Sequence, residues 1–359
     1  MIDRETVDKI LDAVDIVDVV SDFVHLRRRG ANYIGLCPFH NEKTPSFSVS
    51  RSKGICKCFS CGKGGSAVNF IMEHEQMSYY EALKYLAKKY HIEVKERELT
   101  DKEKQEQSER ENMLVVNEFA MKQFEDNMYN TDEGRNIGLG YFYERGFNDN
   151  IIKKFHLGYS MDNSTALYDA IKKHGFNPKY AVETGLCMHN ERGYYDRFKG
   201  RVMFPVLNIA GKVIAFGGRT LKKDDRAKYV NSPESIIYKK SNELYGLFQA
   251  KRGIVNKDKC FLVEGYTDVL SMHQAGIENV VASSGTSLTE GQIRMIHRFT
   301  DNITVLYDGD AAGIKASLRG IDMLLAEGLN VKVLLLPDGD DPDSFAKKHS
   351  ATEFQDYIA

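Results

Sequence analysis

The chain has 359 residues, with 49 Lys and Arg against 51 Asp and Glu for a net charge of −2, and 42% of its residues are hydrophobic. That length exceeds one ordinary core and leaves room for two or three domains, and the composition is that of a folded globular chain rather than a disordered or fibrous one. No apolar run reaches the length of a membrane span and MIDRETVDKI has no signal-peptide core, so an integral membrane or exported protein is not expected; six cysteines in a largely paired pattern point to a reducing, cytoplasmic setting and to metal rather than disulfides.

Residues 3–14 alternate apolar and charged positions at helical spacing and read as an amphipathic helix. Cys37-x-x-His40 and Cys58-x-x-Cys61 follow as two close ligand pairs with seventeen residues between them. This is the spacing of a structural zinc site, and Cys₃His closes a tetrahedron with no open position, so the module is expected to bind rather than catalyse. The runs 46–50 and 55–59 read as short strands of a zinc ribbon, and Cys56 is not counted as a ligand. Arg27, Arg28, Arg29, Lys43, Arg51, Lys53, Lys57 and Lys63 alternate with Tyr33, Phe39, Phe47 and Phe59. Cations for phosphates beside rings for base stacking suit single-stranded nucleic acid, although in so small a ribbon most rings are needed for the core. Cys187 and Cys260 have no metal-like neighbours and read as core thiols.

Residues 66–75 and 78–90 read as helices, with Ser78 and Glu81 as a capping box for the second. The almost wholly polar run up to Glu111 reads as a linker or a solvated helix, and in either case as a boundary. A helical pattern resumes at Asn112. RVMFPVLNIAGKVIAFGGRT reads as a hairpin turning at Gly211. Charge divides unevenly: residues 141–252 hold 20 Lys and Arg against 11 Asp and Glu, a net +9, whereas 253–359 hold 9 against 16, a net −7. A basic middle beside an acidic end suits an enzyme that handles a polyanion.

The acidic end has its own order. From Cys260 onward four short apolar runs alternate with helical segments, which implies a parallel sheet whose ligand crevice lies outside the strands' carboxyl ends. Glu264 and Asp268, then Asp308 and Asp310, then Asp338, Asp340, Asp341 and Asp343 follow three of those runs. Carboxylates crowded together raise one another's pKa, a conflict that a hard divalent cation relieves, and an oxygen-only set favours Mg²⁺ or Mn²⁺ over zinc. For Asp338 and Asp340, helix capping is an equal reading. If the helix has begun by Asp268, that residue shares a face with Glu264.

EGYTD, YDGD and DGDDPD resemble the Toprim domain of primases, topoisomerases and some nucleases. The resemblance implies Asp308 and Asp310 as main metal ligands, Glu264 as an acid/base or metal-facing group, and Asp268, Asp341 and Asp343 as further acidic groups of the same pocket. CPFHNEKTPSFSVS followed by CFSCGKGG resembles the zinc-binding domain of bacterial DnaG-type primases. ERGF, DRFKGRVMFP, FGGR and KYVNSPES resemble the RNA-polymerase domain of the same family, which implies that Arg145, Arg197, Lys199, Arg201, Arg219, Lys228 and Asn231 bind template or nucleotide, with Tyr266 joining them. Lys239 and Lys240 extend the same basic track.

The expected architecture is therefore multidomain α+β and α/β. It comprises a zinc-binding ribbon over 1–95, a charged linker over 96–111, a basic α+β subdomain over 112–253, a Toprim parallel-sheet subdomain over 254–345, and the start of a further segment over 346–359. The resemblance implies a DNA primase, a nucleotidyltransferase that makes RNA primers from ribonucleoside triphosphates on single-stranded DNA. It would use one structural Zn²⁺ and catalytic Mg²⁺ or Mn²⁺, and would meet a replicative helicase through a C-terminal domain not present in this chain. The rival readings are a Toprim topoisomerase or nuclease, and a non-catalytic zinc-dependent loading factor.

Overall fold

The computed structural model describes residues 2–75, 77, 79–94, 101–222, 227–284, 288–307 and 320–358, with the side chains of Tyr307 and Asp338 also left out of the description. The expected cap at Ser78 and the catalytic carboxylates expected at Asp308 and Asp310 lie outside the described residues. The chain divides into two compact units, Met1–Gln105 and Glu106–Ala359.

In the first unit, α1 (Arg4–Ala13) begins where Asp3 accepts the Thr6 N–H at 2.7 Å, and α2 (Ile16–Ser21) begins on the Asp15 carboxylate. Both caps satisfy N–H groups that have no partner inside the helix. Five strands form an antiparallel sheet in sequence order: β1 (Arg27–Arg29), β2 (Asn32–Gly35), β3 (Phe47–Ser50), β4 (Ile55–Cys58) and β5 (Gly64–Gly65). Burial alternates along β3 and β4, so Phe47, Val49, Cys56 and Cys58 face the core. Helices α3 (Ala67–His74, capped by Ser66) and α4 (Tyr79–Lys89) close that core with Phe70, Ile71, Leu83 and Leu86.

The second unit contains most of one long helix, α5 (Asp101–Asn130), so the polar run before Glu111 is a solvated helix where it is described. A π-helical turn, Gly134–Leu139, follows and leads into α6 (Gly140–Glu144). The turn is possible because Gly134 has no side chain: a Cβ there would stand 1.9 Å from the Asn127 carbonyl oxygen. Then come α7 (Asp149–Lys154), β6 (Gly158–Ser160), α8 (Ala166–Lys173), α9 (Pro178–Glu183), and the ribbon of β7 (Cys187–Asn190) and β8 (Gly193–Asp196). The hairpin of β9 (Arg201–Leu207) and β10 (Val213–Thr220) turns at Gly211, whose φ is +80°, and Asn208 Oδ1 accepts the N–H groups of Ala210 and Lys212. With β11 (Tyr229–Asn231) it forms an antiparallel sheet ordered β11-β10-β9-β6. All seven residues of β9 are buried, and fully burying each large apolar side chain there contributes roughly 1.5–3 kcal/mol.

After α10 (Leu247–Lys257) the expected alternation appears: β12 (Cys260–Val263), α11 (Tyr266–Gln274), β13 (Val280–Ala282), α12 (Glu290–His297), β14 (Asn302–Tyr307), helical residues 320–326 (α13), β15 (Asn330–Leu335), α14 (Pro342–Lys348) and α15 (Ala351–Ile358). The strands are parallel in the order β13-β12-β14-β15. Their carboxyl ends therefore share one edge. No helix among the described residues is long and apolar enough to cross a membrane.

His273 on α11 is 4% exposed, lies edge-on to Phe155 at 4.9 Å, and has no hydrogen-bond partner for either ring nitrogen among the described residues. Burial, and then Lys154, push its pKa down to about 3. The folded form therefore resists a proton that the unfolded chain accepts near pH 6.5, so stability falls as pH drops from about 6.5 towards 3. At pH 5 this one group costs about 2 kcal/mol. His273→Phe is expected to flatten the fall in melting temperature between pH 7 and pH 5, and an unchanged fall would show that the imidazole does not titrate this way.

Candidate zinc centre and phosphate-binding cleft

In the first unit, the loop after β2 delivers Cys37 and His40, the end of β4 Cys58, and the turn beyond it Cys61. One ligand atom from each lies within 4.8 Å of all the others. Cys37 Sγ and Cys61 Sγ are 3.7 Å apart, and Cys58 Sγ and His40 Nδ1 are 3.9 Å apart. Zn–S bonds of about 2.3 Å in a tetrahedron put two sulfurs roughly 3.8 Å apart, so this set fits a zinc ion. Main-chain N–H groups of Phe39 and Cys61 point at Cys37 and Cys58 sulfurs. Cys56 faces Gly65 instead, outside the ligand group.

Glu42, which the sequence reading passed over, organises this loop. Its carboxylate accepts from the Cys37 N–H at 2.8 Å, the Ser46 N–H at 3.0 Å and the Ser46 hydroxyl at 2.5 Å, and it lies 3.3 Å from His40 Nε2. Ser46 Oγ is in turn 3.2 Å from Cys58 Sγ. A carboxylate behind a ligating imidazole fixes its ring and tautomer, leaving Nδ1 for the metal. The sheet face opposite the core carries a row of paired positions from Arg27 through Ile34 and Ser48 to Lys57. Of the four rings counted for stacking, Phe47 is fully buried and Phe39 packs on the core, while Phe59 is 75% exposed.

In the second unit, Glu264 is exposed directly after β12. Asp268 does not share a helical face with it, because α11 begins only at Tyr266: Asp268 is buried and accepts the Gly265 N–H at 2.9 Å. Asp341 likewise caps α14, accepting the Ser344 N–H at 2.6 Å. Asp340 bonds Lys348 and Ser344, which hold its carboxyl below the usual range. Asp343 is 4% exposed and accepts from Ser271 Oγ at 2.7 Å and Lys347 at 2.7 Å, with Arg145 at 3.2 Å.

A cleft of about 620 Å³ is lined by the π-helical turn (Asn136, Ile137), by Tyr141 and Glu144, and by the 219–222 stretch with Lys228, whereas Arg145 lines a separate pocket with Ser271, Gln274 and Lys347. Tyr141 hydroxyl accepts from Arg145 at 3.2 Å and also from Arg219, and the two guanidinium carbons lie 5.6 and 4.7 Å from its ring centre. Arg219 Nε is buried with no partner among the described residues. Tyr141 stands four residues before Arg145 on one helix, a spacing that could have drawn attention to it.

The remaining basic track is dispersed. Lys199 is exposed and near Asp162 at 3.7 Å; Arg197 Nη1 lies 3.7 Å from Met188 sulfur; Lys239 is exposed, and Lys240 opens a short 3₁₀ turn. Two residues of the expected track are buried. Arg201 is 6% exposed and donates to the carbonyls of Gly218, Ala227 and Lys228, so it anchors the chain beside Lys228. Tyr266 is 5% exposed, stacks on Phe204 at 5.0 Å and donates to Asn231 Oδ1 at 2.8 Å, while Asn231 reaches the Ser284 carbonyl. Tyr266 thus holds Asn231 in place from within the core. Arg201→Met is expected to lower stability by about 3 kcal/mol, because three carbonyls lose a charged donor, and a urea midpoint unchanged from wild type would refute the anchoring role.

These features define a zinc-ribbon and Toprim-domain protein with a cationic cleft. Three family descriptions match in chain order: CHC2 zinc finger over residues 2–102, DNA primase catalytic core, N-terminal domain, over 123–251, and Toprim-like over 261–346. A DNA primase of Halalkalibacterium halodurans is 44% identical over 356 residues, covering 99% of this chain and 59% of the relative, and one of Clostridium acetobutylicum is 43% identical, covering 99% and 58%. Among solved structures, the zinc-binding and RNA-polymerase domains of Aquifex aeolicus primase align at 37% identity with a TM-score of 0.65, covering 98% of this chain and 84% of that one. A DnaG primase catalytic domain bound to single-stranded DNA aligns at 32% identity and TM-score 0.64, covering 70% of this chain and 79% of that one. The chain belongs to the DnaG-type DNA primase family. It spans about three fifths of the length of the curated relatives it matches.

Proposed function

We propose that this chain is the priming part of a DNA primase and joins ribonucleoside triphosphates into short RNA on a single-stranded DNA template. The observation that carries this reading is Arg145. It donates to Tyr141, which lines the cationic cleft, and it pairs at 3.2 Å with Asp343 of the acidic set, which supports a reading in which cationic and acidic groups work side by side. The 3′-hydroxyl oxygen of the growing strand bonds the α-phosphorus of the next nucleotide, and the bond to pyrophosphate breaks. Mg²⁺ or Mn²⁺ held by Asp308 and Asp310 would neutralise triphosphate charge; the oxygen-only donor set suits either ion. Glu264, exposed at the end of β12, accepts the proton or orients a metal or water. Arg145, Arg219 and Lys228 hold phosphates, and Asn231 is fixed beside them by Tyr266. Holding the reactants in line supplies much of the rate.

The zinc ribbon, with Arg27, Lys57 and exposed Phe59, would read the template. The domain reading is a zinc-binding part over 1–95, a connecting stretch over 96–111, a basic subdomain over 112–253 and a Toprim subdomain over 254–345. The reading places the protein in the cytoplasm with its template, and the replicative helicase is its expected partner through a further domain. The test is synthesis from labelled ribonucleotides on single-stranded DNA with Mg²⁺ or Mn²⁺. Short RNA products are expected. DNA cleavage, or binding without synthesis in both this chain and a form extended to the relatives' length, would overturn the reading in favour of a Toprim nuclease or a loading factor.

A further inference from the structure

Two guanidiniums converge on one phenol in the cleft. Arg145 and Arg219 both donate to the Tyr141 hydroxyl and both lie against its ring. Arg145 has a counter-charge in Asp343 at 3.2 Å, whereas Arg219 has no ion pair among the described residues. Arg219 lines the cleft with Glu144, Lys222 and Lys228, Lys222 being paired with Asp162 at 2.7 Å, while Arg145 approaches the Tyr141 hydroxyl from outside the cleft's lining. Two like charges held this close with one carboxylate between them leave an excess of positive charge beside open volume, an arrangement an anion would relieve. Each guanidinium is a rigid fork, so its usefulness to a phosphate depends on its orientation as well as its position.

Tyr141 is what sets that orientation. Burial keeps its hydroxyl neutral, raising its pKa despite the two cations, so it accepts from both guanidiniums without cancelling either charge. It stands two residues past the π-helical turn, a helical irregularity that tends to mark functional sites. We propose that Tyr141 is a positioning residue that holds Arg145 and Arg219 in register for adjacent phosphates of the nucleic acid or of the incoming nucleotide. This rests on the primase reading. The phenol does no chemistry; it spaces the two cations and presets their planes.

The test is binding of a fluorescent oligothymidylate by the full chain across a range of salt. Tyr141→Phe keeps the ring and removes the shared acceptor. It is expected to raise Kd roughly tenfold, and to make the slope of log affinity against log salt shallower by about 0.7, the share of one phosphate contact on a single strand. The melting temperature is expected to stay near wild type. Tyr143→Phe, a neighbouring exposed phenol bonded to Asp149 at 2.7 Å, is expected to change neither quantity. In an Arg219→Gln background, Tyr141→Phe is expected to cost clearly less than in the wild type, because one of the two groups it aligns is already gone. Unchanged affinity and slope in Tyr141→Phe would overturn the inference while leaving the primase reading intact, and so would a full, additive loss in the Arg219→Gln background. A wild-type chain that binds no single-stranded DNA would overturn both.

Discussion

Asp308→Ala is expected to abolish RNA synthesis and to leave affinity for single-stranded DNA within about twofold of wild type, since phosphate contacts govern that affinity. The two effects separate because the two kinds of site are built from different residues. The position follows β14, whose carboxyl end shares an edge with the end of β12, where Glu264 stands exposed. On the proposed reading, losing this carboxylate weakens the divalent-cation site and with it the charge neutralisation at the triphosphate, and a loss on the order of 10⁴-fold corresponds to roughly 5.5 kcal/mol of transition-state stabilisation. The cations proposed to hold the template, Arg145, Arg219 and Lys228, are untouched by the change. Primer synthesis and fluorescence anisotropy on the same preparation check both halves. A parallel loss of binding in a folded protein would place Asp308 among the template contacts instead.

Cys58→Ser, or removal of zinc by a strong chelator, is expected to unfold the first unit and leave the second folded. Cys58 is fully buried at the end of β4, and both it and Cys37 belong to the same apolar core as Phe47 and Phe70. Without the ion, the loop from Cys37 to Ser46 loses the ligand bonds that close it, and the Glu42 hydrogen bonds and the Phe39 packing must hold it instead. Structural zinc supplies about 10–16 kcal/mol of apparent binding energy, as much as the whole 5–15 kcal/mol stability typical of a domain. Metal analysis should find one zinc per wild-type chain. Amide resonances of residues 2–94 should collapse to unfolded positions in Cys58→Ser while those of the β12–β15 sheet stay dispersed. A variant that keeps its dispersion without metal would show the ribbon to be held by its apolar core alone.

Where the chemistry follows from local spacing, it could be read in the chain. The Cys-x-x-His and Cys-x-x-Cys pairs, the Gly211 turn and the strand-helix alternation after Cys260 are of this kind, because ligand reach, φ and periodicity act over a few residues. Arg201 and Tyr266 show the limit. Both sit in strings of the right character, yet one is spent on three carbonyls and the other on Asn231 and Phe204. Gly217 permits the second: a Cβ there would lie 2.5 Å from the Tyr266 ring. Which way a side chain faces depends on residues tens of positions away, and a string does not show that. Glu42 and Tyr141 were missed for the opposite reason, since a carboxylate in a loop and a tyrosine in a helix look ordinary until their partners are known. Asp268 and Asp341 were legible as acidic groups but act as helix caps in the described structure.

The π-helical turn has an effect on the cleft that residue identity alone does not capture. Asn136 and Tyr141, five positions apart, both line the same cavity. In a regular helix of 3.6 residues per turn, five positions separate two side chains by about 140°, on largely opposing sides. The widened turn is what brings them to a common wall. The cleft is thus sensitive to chain length here: loss of any one residue between Gly134 and Leu139 would restore ordinary helical pairing and rotate what lies upstream by about 100° relative to Tyr141. A sequence comparison would score that as a single gap, although it would dismantle one side of the cleft while leaving every one of its cations in the chain.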